Sequence, residues 1–285
     1  MTMDIGKQFR HELTGSFSEG SDANPTVAMV EASYNANGLH YRYVNCEVHP
    51  EQLAAAVAGA RAMNWKGFNC SIPHKVEVIK HLDGLGESAA VIGAVNCAVN
   101  RDGKFIGENT DGKGFLKSFM EVADPKGKTI VLLGAGGAAR AIAVELALAG
   151  ASKFYVVNRG KARGEELTKL LNEKTNSTAQ YVEWSSTYSV PADAEVVINS
   201  TSMGMAGATE LQDIDFSTIR KGMLVADVIV NPPHTPFLQK AEAQGAITLQ
   251  GLGMVVNQAV ISIKYWTGKD VDPSDLRDAL LKVLK

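Results

Sequence analysis

A chain of 285 residues, 45% hydrophobic and 21% charged, is too long for one ordinary core and sits where chains divide into two domains; disorder, collagen and coiled coil are excluded. Lys plus Arg at 28 against Asp plus Glu at 31 gives a net charge of −3 with no basic block, so neither a nucleic acid nor a membrane surface is an expected partner.

Residues 1–15 are polar and lack an apolar leader core, and no window approaches the roughly 18–20 apolar residues of a membrane span, so a soluble cytoplasmic protein is expected. Strands are predicted over 41–46 and 67–71, separated by a helix over 50–62. Cys46, Cys70 and Cys97 lack a CxxC pair and are expected as reduced core thiols rather than disulfides or zinc ligands. Asn100-Arg101-Asp102-Gly103 between apolar runs predicts a hairpin turn, with Gly103 supplying the positive φ. From about Lys128, apolar runs alternate with amphipathic stretches, predicting strands at 129–133, 154–157, 180–182, 196–198, 224–227 and 247–249, the pattern of a parallel sheet. A helix over 138–149 is stopped by Gly150. A long apolar helix over 254–266 and a terminal one over 273–284 have no strand to pair with and are expected to return to the first domain.

The expected fold is therefore α/β in two domains. Residues 1–110 plus 250–285 form a substrate-binding catalytic domain, and residues 111–249 a Rossmann-type doubly wound dinucleotide domain. Gly134-Ala135-Gly136-Gly137-Ala138-Ala139 follows a predicted strand and opens a helix, the context a dinucleotide-binding turn requires. Gly134 permits the tight turn, Gly136 lets the backbone approach a pyrophosphate, and the helix N-terminus offers it unpaired amides. Twenty-four positions after Gly134 the next strand ends in Asn158-Arg159, with Arg163 following, where NAD proteins carry an acidic residue. Cationic side chains there suit a 2′-phosphate, which favours NADP with NAD as the alternative.

Five further segments occur in order: Asn69-Cys70-Ser71-Ile72-Pro73-His74-Lys75, Gly93-Ala94-Val95-Asn96, Asn109-Thr110-Asp111-Gly112, Asn199-Ser200-Thr201-Ser202-Met203-Gly204-Met205, and Gly251-Leu252-Gly253-Met254 leading to Gln258. With the glycine turn, this set resembles the shikimate dehydrogenase family, which includes quinate/shikimate dehydrogenases. The resemblance implies that Lys75 and Asp111 face each other in the cleft between the domains beside the reacting carbonyl or hydroxyl. Reduction of a ketone needs a proton donor, and a positioned Lys is a competent one. The resemblance further implies that Ser71, Asn96, Asn109 and Gln258 bind substrate hydroxyls. It places Thr201, Met205, Gly251 and Met254 near the nicotinamide.

Two departures bear on the substrate, expected to be a hydroxylated ring carboxylate. Where the family carries Ser-x-Ser for the carboxylate, counting back from Gly38-Leu39 places Asn24 and Thr26; Ser16 and Ser18 copy the spelling but fall upstream, in the stretch aligned with the family's loop. After Asp227 the family's tyrosine is replaced by Val230. Shikimate with 3-dehydroshikimate is the expected pair, with quinate or another polyol acid as the alternative, and a non-catalytic NADP-binding regulator as an option from another class. His74 is read as pointing outward, the scattered histidines assign no metal, and a monomer or homodimer is expected.

Overall fold

The computed structural model describes residues 10–205 and 213–284. The chain separates into two units, Met1–Thr110 with Ala259–Lys285, and Asp111–Gln258. Among the described residues, no helix is long and apolar enough to cross a membrane.

The first unit runs β1 (Glu12–Ser18), α1 (Thr26–Ala36), β2 (Tyr41–Glu47), α2 (Leu53–Ala62), β3 (Gly67–Cys70), β4 (Gly84–Leu85), α3 (Glu87–Ile92), β5 (Cys97–Arg101) and β6 (Lys104–Glu108). Its six-stranded sheet has the order β2-β1-β3-β5-β6-β4. The strand β1 corrects the sequence reading, which took the stretch from Gly15 onward as loop. Thr14, Ser16 and Ser18 are all buried. Thr14 Oγ1 donates to Arg42 O at 2.9 Å, and Ser16 is bonded through its own side chain, so a strand can bury polar residues that no hydrophobic pattern announces. The predicted helix over 50–62 begins as a 3₁₀ turn at Pro50–Gln52 before α2. In the β5–β6 hairpin both Asp102 (φ 52°) and Gly103 (φ 85°) are left-handed, and Asn100 Oδ1 accepts the Gly103 amide hydrogen at 2.8 Å. The core is aromatic: Phe17 stacks on Phe68 at 4.5 Å, and Phe105 meets Phe68 edge-on at 5.1 Å.

In the second unit, α4 (Thr110–Met120) is followed by β7 (Thr129–Leu133), α5 (Gly137–Leu148), β8 (Lys153–Asn158), α6 (Lys161–Lys174), β9 (Thr178–Glu183), β10 (Tyr188–Ser189), β11 (Val196–Asn199), β12 (Ile214–Asp215), β13 (Leu224–Asp227), α7 (Pro236–Ala243) and β14 (Ile247–Leu249). The main sheet is parallel throughout, ordered β14-β13-β11-β7-β8-β9. The order reverses between β7 and β11, the switch point at which doubly wound sheets bind ligands. The division between units falls within α8 (Leu252–Thr267), and α9 (Pro273–Val283) packs on α1.

Within the first unit, Trp266 of α8 donates its indole hydrogen to Ala98 O at 3.0 Å. A Cβ at Gly67 would lie 2.2 Å from both Ala98 O and Trp266 Nε1. Gly67→Ala should therefore displace the indole and destabilise the protein by about 1–3 kcal/mol, the scale of overpacking a filled core. Urea unfolding followed by Trp fluorescence measures it, and an unchanged midpoint would contradict the close approach.

Candidate active site

The phosphate turn is assembled at the carboxyl end of β7. Gly134 (φ 102°) donates its amide hydrogen to Val157 O at 2.8 Å, and a Cβ there would approach Ser200 Oγ to 2.9 Å. Gly136 caps α5 in an extended conformation with no side-chain cap, and buried Ala139 lets the helix sit close to the sheet. Among the described residues, a Cβ at Gly136 or Gly137 would meet nothing within 4 Å beyond its own chain neighbours and helix backbone. Packing against the described residues does not require glycine at these two positions. What the small residues leave is open space before a 12-residue helix with uncapped amides, which fits a pyrophosphate. Ala135 and Ala138 are half-buried beside it.

At the end of β8, Asn158 Nδ2 donates to Gly160 O at 2.7 Å, shaping the turn that carries exposed Arg159 toward α6; Arg163 is exposed in the first turn of that helix. Arg140, in the first turn of α5, pairs with Glu166 of α6 at 2.6 Å.

A network the sequence reading missed organises the neighbouring strand ends. Asp227, fully buried, accepts hydrogen bonds from Asn199 Nδ2 at 2.9 Å, Ile229 N at 3.1 Å and Thr235 Oγ1 at 2.7 Å. Burial raises its pKa above the usual carboxylate range, while these donors oppose the rise. Asn199 Oδ1 in turn accepts from Thr201 N at 3.1 Å and Thr201 Oγ1 at 2.7 Å, and Thr201 Oγ1 accepts from Met203 N at 3.2 Å. The one local signal was a charged residue closing the apolar run of β13. Met205 is 50% exposed, whereas Met254 is buried. Gly251 lies against the Val228 backbone, Gln258 is buried on α8, and Asp111 is half-buried in the first turn of α4.

In the first unit, Lys75 is half-buried in the turn after β3, and its carbonyl accepts from Val95 N at 2.7 Å. His74 does not point outward as its sequence context suggests. It is 1% exposed, with ring Nε2 2.7 Å from Val48 O, an anchor 26 residues away that local pattern cannot reveal. Ser71 is half-buried, and its amide donates to Phe17 O at 3.1 Å. Asn96 is buried, donates to Thr110 Oγ1 at 3.0 Å and accepts from Thr110 N at 2.6 Å. Asn109, also buried, donates to Ala94 O at 3.1 Å. Burial pushes the neighbouring Cys70 thiol up, with Cys97 adding to the shift and Lys75 opposing it. Thr26 opens α1, and Asn24 lies just before it. The segment leading to them is held by Glu47, which accepts from Ser21 N at 2.8 Å and Gly20 N at 3.0 Å; these bonds hold its carboxyl below the usual range.

A doubly wound sheet with a phosphate-competent turn at its switch point, in a chain whose other unit carries a half-buried lysine and buried asparagines, is the architecture of a dinucleotide-linked α/β oxidoreductase. Family models match in order: the shikimate dehydrogenase substrate binding domain over residues 24–98, shikimate / quinate 5-dehydrogenase over 117–242, and the shikimate 5′-dehydrogenase C-terminal domain over 251–281. A shikimate dehydrogenase (NADP(+)) of Desulforamulus reducens is 37% identical over 95% of each chain. The crystal structure of ligand-free 5-ketofructose reductase of Gluconobacter sp. strain CHM43 superposes with a TM-score of 0.94 at 51% identity, covering 97% of this chain and 100% of that one. Shikimate 5-dehydrogenase of Listeria monocytogenes in complex with shikimate and NAD gives 0.89 at 32% identity over 98% of each. The chain belongs to the shikimate dehydrogenase family.

Serine is a better helix cap than glycine and would fill the open space before α5. Gly136→Ser should keep the unfolding free energy within about 0.5 kcal/mol while weakening NADP binding by about tenfold or more. Calorimetric titration beside thermal unfolding measures both, and undiminished affinity would remove the phosphates from this turn.

Proposed function

We propose that this chain catalyses reversible hydride transfer between NADP(H) and a ketone/alcohol pair on a small polyhydroxylated molecule, with 3-dehydroshikimate and shikimate as the family's pair. The ordered retention of Lys75, Asn96, Asn109, Asp111 and Gln258, in a chain whose curated relatives are NADP(+) shikimate dehydrogenases, carries this reading. The bound dinucleotide supplies or accepts the hydride. In reduction, the Lys75 ammonium gives a proton to the substrate oxygen; in oxidation the neutral amine takes it back. Asp111 holds the ammonium in place and accepts a hydrogen bond from the adjacent substrate hydroxyl. Ser71, Asn96, Asn109 and Gln258 bond the remaining hydroxyls, with Asn24 and Thr26 where the family's serines meet the carboxylate. Thr201, Met205, Gly251 and Met254 border the nicotinamide, and Arg159 with Arg163 takes the 2′-phosphate beside Asn158. A cytoplasmic setting fits the three free thiols, and the enzyme works as a monomer or homodimer without nucleic acid.

One observation favours a second reading of the substrate. The Ser-x-Ser pair and the tyrosine are absent here, replaced by Asn24, Thr26 and Val230, and the 51%-identical relative reduces, by its name, 5-ketofructose, a ketone without a carboxylate. A site that bonds specific oxygens discriminates by up to about four or five decades, so these positions decide between the two.

Initial rates of NADPH oxidation with 3-dehydroshikimate and with 5-ketofructose, and of NADP reduction with shikimate and quinate, test both readings. Turnover of the ring acids supports the first, turnover of 5-ketofructose alone supports the second, and NADPH binding without turnover of any of them contradicts both. Lys75→Ala should lower turnover of the active substrate by about two decades or more with dinucleotide binding nearly unchanged; retained turnover would remove Lys75 from proton transfer. Replacing Arg159 and Arg163 together by Ala should weaken NADP far more than NAD, and an equal loss would show that neither contacts the 2′-phosphate.

A further inference from the structure

Asn24 belongs to a chain of hydrogen bonds whose direction is fixed at both ends. A side-chain amide carries two hydrogens on nitrogen and only acceptor capacity on oxygen. Asn45 Nδ2 faces two backbone carbonyls, Ser21 O at 3.1 Å and Asn24 O at 3.0 Å. Carbonyls only accept, so Asn45 Oδ1 is the atom 2.9 Å from Ser16 Oγ. Ser16 therefore donates its one hydrogen to Asn45 and accepts from Asn24 Nδ2 at 3.3 Å. At the opposite end, the Thr26 backbone N–H, which can only donate, points at Asn24 Oδ1 at 3.0 Å. The Tyr43 phenol, whose pKa the Ser16 hydroxyl lowers against the larger effect of burial, gives its own hydrogen to Asn69 Oδ1 at 2.8 Å and leaves the direction unchanged.

Both ends impose the same orientation. Asn24 spends its oxygen on Thr26 and one hydrogen on Ser16, which leaves its second amide hydrogen for an outside acceptor. A serine hydroxyl can rotate to donate or accept, whereas this amide can only donate. Ser16 is fully buried, so it takes part through Asn24 and without touching substrate.

We propose that Ser16 and Asn45 are positioning residues that lock Asn24 as a hydrogen-bond donor to an acceptor oxygen of the substrate, and thereby set which oxygen-bearing ketones the site takes. The inference rests on the reading of Asn24 as a substrate residue. The acceptor is a carboxylate oxygen if the substrate is 3-dehydroshikimate and a hydroxyl or carbonyl oxygen if it is 5-ketofructose.

A double-mutant cycle tests it with Ser16→Ala, Asn24→Ala and the double variant, measured on both ketones at saturating NADPH, with NADPH affinity and melting temperature recorded for each. Loss of one oriented hydrogen bond should raise KM for the ketone turned over by about fivefold in Ser16→Ala, leaving kcat within about twofold and NADPH affinity unchanged. Asn24→Ala should raise KM at least as much, and the double variant no further, because Ser16 acts only through Asn24. Ser16→Cys, only slightly larger and both a weaker acceptor from Asn24 and a weaker donor to Asn45, should fall between Ser16→Ala and the parent and carries the comparison if the alanine variant does not fold. Additive effects, or a KM unmoved by Ser16→Ala while Asn24→Ala raises it, would overturn the positioning role. A KM unmoved by Asn24→Ala would instead remove the reading of Asn24 on which the inference stands.

Discussion

A buried carboxylate holds together the carboxyl edge on which the dinucleotide unit depends. A charge out of water is tolerable only when hydrogen bonds replace its hydration, and Asp227 obtains them from its own turn, through Ile229 just after β13, and from two other places, Asn199 at the end of β11 and Thr235, which also caps α7. Meeting the needs of one charge thus fixes three stretches of chain. Asn199 passes the constraint to Thr201, and Ser200, next in line, donates to Leu133 O at the foot of the phosphate turn. The two loops on either side of the switch point are therefore fitted to each other through strand ends.

The substrate unit reaches order by another route. Its second-from-edge strand, β1, buries Thr14, Ser16 and Ser18 where an ordinary strand would carry apolar residues. Thr14 and Ser16 find partners in the following helix and strand: the Tyr34 hydroxyl lies 2.9 Å from Thr14 Oγ1, and Asn45 receives the Ser16 hydrogen, whereas the Ser18 hydroxyl is buried without a partner among the described residues. Polar pairs inside a sheet specify register more sharply than apolar contacts, because a slipped strand would strand every donor. Precision at Asn24 is a by-product of the same bonding.

This difference decides how much was legible in the sequence. Strands buried on both faces of a parallel sheet are near-continuous apolar runs, and β7 and β13 have the bounds their sequence predicts; β14, an edge strand with Ile247 half exposed, is legible from its short apolar run alone. The glycine turn was equally legible, since its chemistry is confined to six consecutive residues. By contrast β1 carried no hydrophobic alternation, and its partners lie 20 to 29 residues away. His74 was misread for the same reason: beside Pro73 it resembles a surface turn residue, and only the distant Val48 carbonyl accounts for its burial. Asn199, Asp227 and Thr235 each have an ordinary local role, as strand end or helix cap, and become a network only when the sheet brings them together.

The discontinuity of the substrate unit bears on the order in which a ribosome delivers it. Its sheet is complete in sequence by Glu108, but Trp266, which bonds Ala98, and α9, which covers α1, are made last. At about 5–20 residues per second, the intervening segment takes on the order of ten seconds to synthesise. The nucleotide unit, contiguous in the chain, can close during that interval, while the earlier-made sheet waits with its α8 and α9 contacts unfilled. The first unit is thus completed in two instalments, its sheet before the contiguous second unit is made and its α8 and α9 packing after it.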